Sequence, residues 1–306
     1  MATLRDIRNR ILGIKNIEKI TSALKMVSSI KVRKAQRLAE NARPFFNKTE
    51  KMLGEIVYST DTPYENPLLI SKEQSKIKNI IVFIIAGDKG LCGSFNTNLF
   101  RTVDNYLTKS FVEKYPNAKP ILILIGNKTV EYYSKHKHNF EILKCFNNAF
   151  QPLKYDIVTE CYNLILDKFI NNEADQVEIF YNRFINSMKQ EPTYSQLLPL
   201  KINIEKLDNK SNLSQKQYTN NYIFEPSKKE TADYLVNQYL RLNLWSALLE
   251  SNASEHSARL AAMDKATQNA NDLIKELELQ FNNARQNAIT TEMLEIISGA
   301  DSLKNK

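Results

Sequence analysis

The residues best placed to do chemistry sit in one turn, Ala86-Gly-Asp-Lys-Gly-Leu-Cys-Gly-Ser-Phe-Asn96. A glycine-rich turn between a strand and a helix can aim backbone N–H groups at an anion, so phosphate binding is the first chemistry it suggests. The spacing argues against it. Gly87, Gly90 and Gly93 stand three and three apart, unlike G-x-G-x-x-G, and Ser94 occupies the place where a P-loop needs lysine before its hydroxyl residue. Cys92 could act as a nucleophile only with a base beside it, and His136, His138 and His256 lie in unrelated segments. His136 and His138 have one residue between them, which puts them on different sides of a helix and makes a poor metal pair. Cys92, Cys145 and Cys161 show no metal-like spacing, and their odd number fits a reducing cytoplasm. Cys92 therefore reads as buried structure and the histidines as surface, with no catalytic, cofactor or metal site.

A second group of reactive side chains is basic. The net charge is +8, and its surplus lies before Thr60, where thirteen Lys and Arg, among them Lys31, Arg33 and Lys34, face five acids. A basic helix can meet nucleic acid, an anionic membrane or a partner lined with carboxylates, and composition does not choose among them. The chain lacks the aromatic or base-reading residues that would favour nucleic acid. No run approaches the 18 apolar residues of a membrane span, and no signal-peptide core follows Met1, so a soluble chain is expected. With 42% hydrophobic residues, 306 residues can bury one sizeable core.

The elements that position these groups are two long helices and a domain between them. Ser227 and Glu230 form a capping box after Pro226, and no proline follows. Gly299 is where a left-handed C-terminal cap belongs. That span is roughly 70 residues of helix, about 105 Å long, and it reads as a shaft rather than a core element. Met263, Thr267, Ala270, Ile274, Leu277, Phe281, Ala284 and Ala288 recur at steps of four and three, the seam of a left-handed coiled coil. At the other end, Thr3 and Asp6 make a weaker box, and Leu4, Ile7, Ile11 and Ile14 begin a matching seam. It resumes at Ile17, Ile20, Leu24 and Val27 after a short step that predicts a stammer. This helix is expected to reach Arg43 and to have the option of continuing through Pro44 to Val57.

Between the helices the rhythm changes. Ile77–Ala86, Ile121–Gly126 and Val177–Ile185 read as strands, with helices predicted over Ser94–Ser110, Lys128–Lys137 and Leu153–Ile170. Strand and helix in alternation imply an α/β layer domain with right-handed crossovers. The expected fold is thus α/β: a long antiparallel coiled coil of the terminal helices with an inserted Rossmann-like α/β domain. The expected divisions are residues 1–59, 76–200, 201–226 and 227–306. The stretch Lys201–Asn221 is polar and reads as a loop or disordered excursion.

Three motifs now resemble one family, the γ subunit of F-type ATP synthases. Ile289, Thr290, Glu292, Glu295, Ile296, Gly299, Ala300 and Ser302 match its C-terminal signature without a departure. Lys19–Gln36 looks like its N-terminal motif, with Met26 followed by Lys31, Arg33 and Lys34. Asp88, Gly90, Leu91, Cys92, Gly93 and Asn96 resemble its Asp-x-Gly-Leu-Cys-Gly-x-x-Asn segment, which in the family is structural and binds no nucleotide. Tyr222-Ile-Phe-Glu-Pro226 resembles its aromatic-x-aromatic-Glu-Pro segment, although spacing alone equally allows a last strand of the α/β domain. The polar stretch 201–221 is longer than the family leads one to expect.

The resemblance implies a non-catalytic central rotor shaft inside a hexamer of α and β subunits. It would couple ion flow through a ring of c subunits to the conformational cycle of catalytic β subunits. Met26, Lys31, Arg33, Lys34, Gln286, Thr290 and Glu292 would meet the β subunits, and Tyr222, Phe224 and Glu225 would dock the c-ring, with the ε subunit alongside. It implies no cofactor or metal, no nucleic acid, and only indirect membrane association, on the cytoplasmic face of a bacterial inner membrane. Two rival readings remain distinct by experiment: an enzyme would bind nucleotide at Gly87–Gly93, and a nucleic-acid binder would lose affinity steeply with salt.

Overall fold

The computed structural model describes residues 3–57, 64, 66–70, 72–73, 76–135, 140–186, 189–200 and 224–304, and of 299–304 the backbone alone. The elements are α1 (Leu4–Val57), β1 (Asn79–Ile85), α2 (Phe95–Asn105), a π-helical turn (Tyr106–Ser110) leading into α3 (Phe111–Lys114), β2 (Lys119–Ile125), α4 (Asn127–Lys135), β3 (Glu141–Phe146), α5 (Asp156–Ile170), β4 (Gln176–Phe184), β5 (Gln190–Leu198) and α6 (Lys228–Lys304). They form two compact units. One joins the start of α1, up to Ser29, to α6 from Arg259 onward, and the other spans Ile30–Ala258.

The larger unit is built on a five-stranded sheet of order β3-β2-β1-β4-β5. β1 pairs in parallel with β2 and β4, β3 adds in parallel to β2, and β5 closes the other edge antiparallel to β4. The unbroken Ile-Ile-Val-Phe-Ile-Ile run of β1 is buried on both faces, as a central parallel strand requires. Ile80, Val82, Ile84, Leu122 and Leu124 face Leu99, Phe100 and Val103 of α2. Ile81, Phe83, Ile85, Ile123 and Ile179 face α5 and, beyond expectation, α6 and the end of α1. The first part of α6 is therefore core: Val236, Leu240, Leu244 and Leu248 are no more than 2% exposed. Its reading as a shaft throughout is corrected here. A helix segment with this dense apolar stripe must be covered, and the sheet face with the end of α1 covers it.

α1 continues through Pro44 to Val57. The proline forfeits one backbone bond on an exposed face, while Leu53 and Ile56 beyond it are buried and hold the last turns in place. The helix expected over Ser94–Ser110 is present, but its last five residues, Tyr106–Ser110, form a π-helical turn. That extra residue lets Tyr106 turn inward, where its ring lies 5.0 Å from Phe180 and its hydroxyl donates to Glu178 at 2.7 Å. The edge strands β3 and β5 were not anticipated. Both strands are mostly exposed or half-buried, and Gln190-Glu-Pro-Thr-Tyr-Ser-Gln-Leu-Leu is also largely polar, because an edge strand is covered on few sides. Pro192 sits harmlessly in β5 because that edge carries no further strand among the described residues.

The smaller unit is an antiparallel helix pair. Lys15 reaches Glu278 at 2.8 Å, Thr267 donates to Thr21 Oγ1 at 2.8 Å, and Lys25 pairs with Asp264 at 2.6 Å. On α1 the residues turned inward include Leu4, Ile7, Ile11, Ile14, Glu18, Thr21, Leu24 and Ser28, so the expected Leu24 keeps its place beside the exposed Lys25–Asp264 ion pair. From Leu4 to Thr21 these steps alternate three and four, so the short step predicted at Ile14–Ile17 does not occur there. Ile17, Ile20 and Val27 are 54%, 60% and 50% exposed and flank the seam instead of forming it. Polar Glu18, Thr21 and Ser28 take the inward places because the helix pair conserves geometric phase, whatever the side chain.

On α6 the predicted seam holds from Met263 to Ala284, but Ala288 is exposed. The antiparallel register carries Ala288 level with the start of α1, where no further turn of that helix is described. Nor does α6 stop at Gly299, since it runs on to Lys304. One glycine costs about 1 kcal/mol, and Ala-Asp-Ser-Leu after it contains no breaker. The Thr3 box is reciprocal, Thr3 and Asp6 satisfying each other's N–H at 3.1 and 3.3 Å, and at the start of α6 Ser227 Oγ accepts the Glu230 N–H at 3.2 Å. The Thr3 hydrogen bonds hold the Asp6 carboxyl below its usual value.

Candidate functional site

The glycine-rich turn is stitched by its own side chains. Asn96 Oδ1 accepts the Gly87 N–H at 3.0 Å, and Asn96 Nδ2 donates to Cys92 Sγ at 3.3 Å. Asp88 is buried, and its carboxylate accepts the Asn127 N–H at 3.1 Å and the Phe150 N–H at 2.8 Å. The Gly87 N–H, one of the donors a phosphate would need, is engaged by Asn96, and the buried Asp88 carboxylate within the turn would repel an anion. Gly87 is needed for packing. A Cβ there would fall 2.8 Å from Cδ of Glu255, a residue only 3% exposed on α6. Cys92 is buried, as expected, with Cys161 likewise buried and Cys145 exposed. His136 and His138 lie outside the described residues, while His256 is half-buried on α6 rather than at the surface. Among the described residues no three His, Cys, Asp or Glu side chains gather as metal ligands. No helix there is long and apolar enough to cross a membrane.

The expected contact residues are presented to solvent. Met26 is 66% exposed, and Lys31, Arg33 and Lys34 are all exposed. Gln286, Thr290 and Glu292 are exposed too, with the Thr290 hydroxyl donating to Gln286 O at 2.9 Å, one turn back on the same face. Glu292 lies two residues further on, about 200° around the helix from Thr290. The three therefore do not share one face. Nor are the two sets brought together within the helix pair. The Lys25–Asp264 pairing places Met26 near Met263, some 20 to 30 residues before Gln286 and Glu292, which is about 30 to 45 Å along a helix. Phe224 is half-buried and Glu225 exposed, and Tyr222 lies outside the described residues, as does the polar stretch 201–221.

Two clusters escaped the sequence reading. Glu178, fully buried on β4, accepts hydrogen bonds from Tyr106, Tyr194 and Gln176 at 2.6–2.9 Å. Burial pushes its carboxyl above the usual value, although those three donors pull the other way. A lone glutamate inside an apolar strand was the available signal. The second is an exposed apolar run on the last turns of α6: Ile289, Met293, Leu294, Ile296 and Ile297 are 47–66% exposed.

The chain is similar to known proteins over nearly its whole length. A family profile described as ATP synthase matches residues 3–303. The chain is 38% identical to the ATP synthase gamma chain of Chlorobium limicola over 305 residues, 100% of both chains. It is 36% identical to that of Aquifex aeolicus over 301 residues, 98% of this chain and 97% of the relative. Its fold resembles a chain of the Euglena gracilis mitochondrial ATP synthase (OSCP/F1/c-ring, rotational state 3), with a TM-score of 0.65 at 20% identity, covering 98% of this chain and 94% of that one.

Proposed function

The chain belongs to the family of ATP synthase gamma chains, and we propose that it is the central rotor shaft of its complex, doing mechanical work without performing the chemistry. The helix pair of α1 and the later part of α6 supplies the shaft, 76–200 with the first part of α6 the body, and 201–226 the foot. Its partners are the α and β subunits of a catalytic hexamer, an ε subunit and the c-ring. It lies peripherally on the cytoplasmic face of a bacterial inner membrane, held there through the complex. Turning inside the hexamer, an asymmetric helix pair meets each β subunit with a different face. Such differential contacts are what shift a protein among conformations.

One observation carries this reading. α6 outruns its seam, and its last turns leave five large apolar side chains 47–66% exposed beside the signature residues Thr290 and Glu292. Apolar surface gathered in this way suits enclosure by other chains. Met26, Lys31, Arg33 and Lys34 serve as further contacts to carboxylate-bearing loops of the β subunits, exposed so that no single angular position is locked by a buried ion pair. Phe224 and Glu225, with Tyr222, dock the ring.

The test replaces Thr290 and Glu292 together with alanine. Both are exposed, so helix content and melting of the isolated chain should stay nearly unchanged, within about 0.5 kcal/mol, while ATP turnover of the assembled complex falls. Untouched turnover, or an isolated chain that melts much earlier, would make the signature helix architecture only. Co-purification with α, β and ε subunits checks the assembly itself.

A further inference from the structure

Tyr106 and Tyr194 come from distant parts of the chain to one carboxylate. Tyr106 is delivered by the π-helical turn, and single turns of this kind are frequent at functional sites. Tyr194 pairs with Phe180 in the β4–β5 register, so it shares a sheet face with Phe180 and Glu178. Glu178 is fully buried, and its Oε1 accepts both hydroxyls, from Tyr106 at 2.9 Å and from Tyr194 at 2.8 Å. The two phenol ends are thus held side by side. Their ring centroids are 5.2 Å apart with planes 34° from parallel, and Phe180 backs the two rings at 5.0 and 5.2 Å.

Such an arrangement makes a phenol easier to oxidise and gives its radical a partner. A base within hydrogen-bond reach takes the proton as an electron leaves, so no phenol cation has to form. Tyr194 is 38% exposed, which lets an electron pass to an oxidant in solvent while Glu178 stays covered. A second pair of tyrosines shares a carboxylate without this ring geometry. Tyr132 and Tyr133 donate to Asp104 at 2.6 and 3.0 Å, but their planes stand at 78°, edge against face. Rings crossed in that way must turn through most of a right angle before the carbons beside their oxygens can overlap.

We propose that Tyr106 and Tyr194 are a site of oxidative modification, at which a one-electron oxidant converts the pair to dityrosine with Glu178 as the proton acceptor. Two equivalents of the oxidant are reduced, each taking one electron from one ring. Each phenolic proton passes to the Glu178 carboxylate and from there to water before the next follows. The two phenoxyl radicals join through the carbons ortho to their oxygens, which forms one C–C bond. The hydrogens on those carbons then move to the oxygens and restore both phenols, so the net loss is two electrons and two protons. The product ties the turn after α2 covalently to β5, an edge strand with no neighbour but β4 among the described residues. The site belongs to the sheet domain and is independent of the rotor reading.

The experiment exposes the full chain to photogenerated tris(bipyridyl)ruthenium(III), a one-electron oxidant, and isolates the monomer before digestion. Dityrosine fluorescence should appear in the monomer, and mass spectrometry should find the peptides of Tyr106 and Tyr194 joined with the loss of two hydrogens. Tyr106→Phe and Tyr194→Phe should each remove that joined pair. Glu178→Gln keeps both rings and a hydrogen-bonding side chain but removes the base. Its joined pair should form several-fold more slowly and, unlike that of the unaltered chain, should be restored by raising the concentration of buffer base, a response that a purely structural role would not give. A monomer without the joined pair, or a link mapped to Tyr132 and Tyr133 instead, would overturn the site in the unaltered chain alone. Equal rates with Glu178 and with glutamine would overturn the role of the carboxylate. None of these readouts needs a partner subunit, so they stand or fall separately from ATP turnover in the complex.

Discussion

Asp88 shows how one side chain can settle what a turn is for. Its carboxylate is buried and spans two backbone N–H groups, those of Asn127 and Phe150, that belong to different connections of the sheet. Asp88→Ala leaves both donors buried and unmet, so the isolated chain should lose about 2–4 kcal/mol of stability, read as a fall in urea midpoint. An unchanged midpoint would mean that the turn is held by Asn96 and Gly87 instead. Glu178 behaves differently, because burial raises its pKa from the ordinary value of 4.5. The folded chain then holds that proton to higher pH than the unfolded chain does. The stability it contributes is complete below 4.5 and is lost as pH rises through the higher folded value. Glu178→Gln should flatten that decline in melting temperature on the alkaline side of pH 4.5. A decline of the same steepness in both proteins would assign it to other groups.

At the scale of an element, the helix pair separates apolar from inward. Leu277 is 3% exposed in the seam, whereas Ile17 is 54% exposed on its flank. Leu277→Ala should therefore cost about 2–5 kcal/mol, and Ile17→Ser should stay within about 0.5 kcal/mol, when each chain is unfolded in denaturant. A large loss for Ile17→Ser would restore the stammer and put Ile17 in the seam. α6 teaches the complementary lesson. Its first part serves the sheet, its middle serves α1, and its last turns have no described partner, although a single capping box and an uninterrupted helix unite all three.

For the whole molecule, the question is whether exposed side chains matter through the chain or through its partners. Met26 is 66% exposed next to the Lys25–Asp264 pair, so Met26→Lys adds a cation that the isolated chain can leave in water. Its melting temperature should hold. In the assembled complex the added charge at a β-subunit contact should favour one rotational state. ATP hydrolysis should then persist while ions pumped per ATP decline. Normal pumping at a normal hydrolysis rate would remove Met26 from the contact set.

The sequence by itself determined the features that repeat locally or are spelled in fixed order. The caps at Thr3 and Ser227, the central strands around Ile81, Leu122 and Ile179, the seam from Met263 to Ala284 and the C-terminal signature were all legible, because each is a short-range consequence of side-chain type and spacing. Tertiary structure decided which residues fill a place whose burial comes from a distant partner. Glu18, Thr21 and Ser28 face inward because α1 keeps its phase against α6, and Ile17 is displaced to the flank. The first half of α6 is core because a sheet face needed covering, and β3 and β5 are strands because a neighbour was there to pair with. Asp88 and Phe150, 62 residues apart, meet only once β1 and the turn after β3 lie side by side. Periodicity records how a segment is buried, but the identity of what buries it is a long-range fact that exists only after the chain has closed on itself.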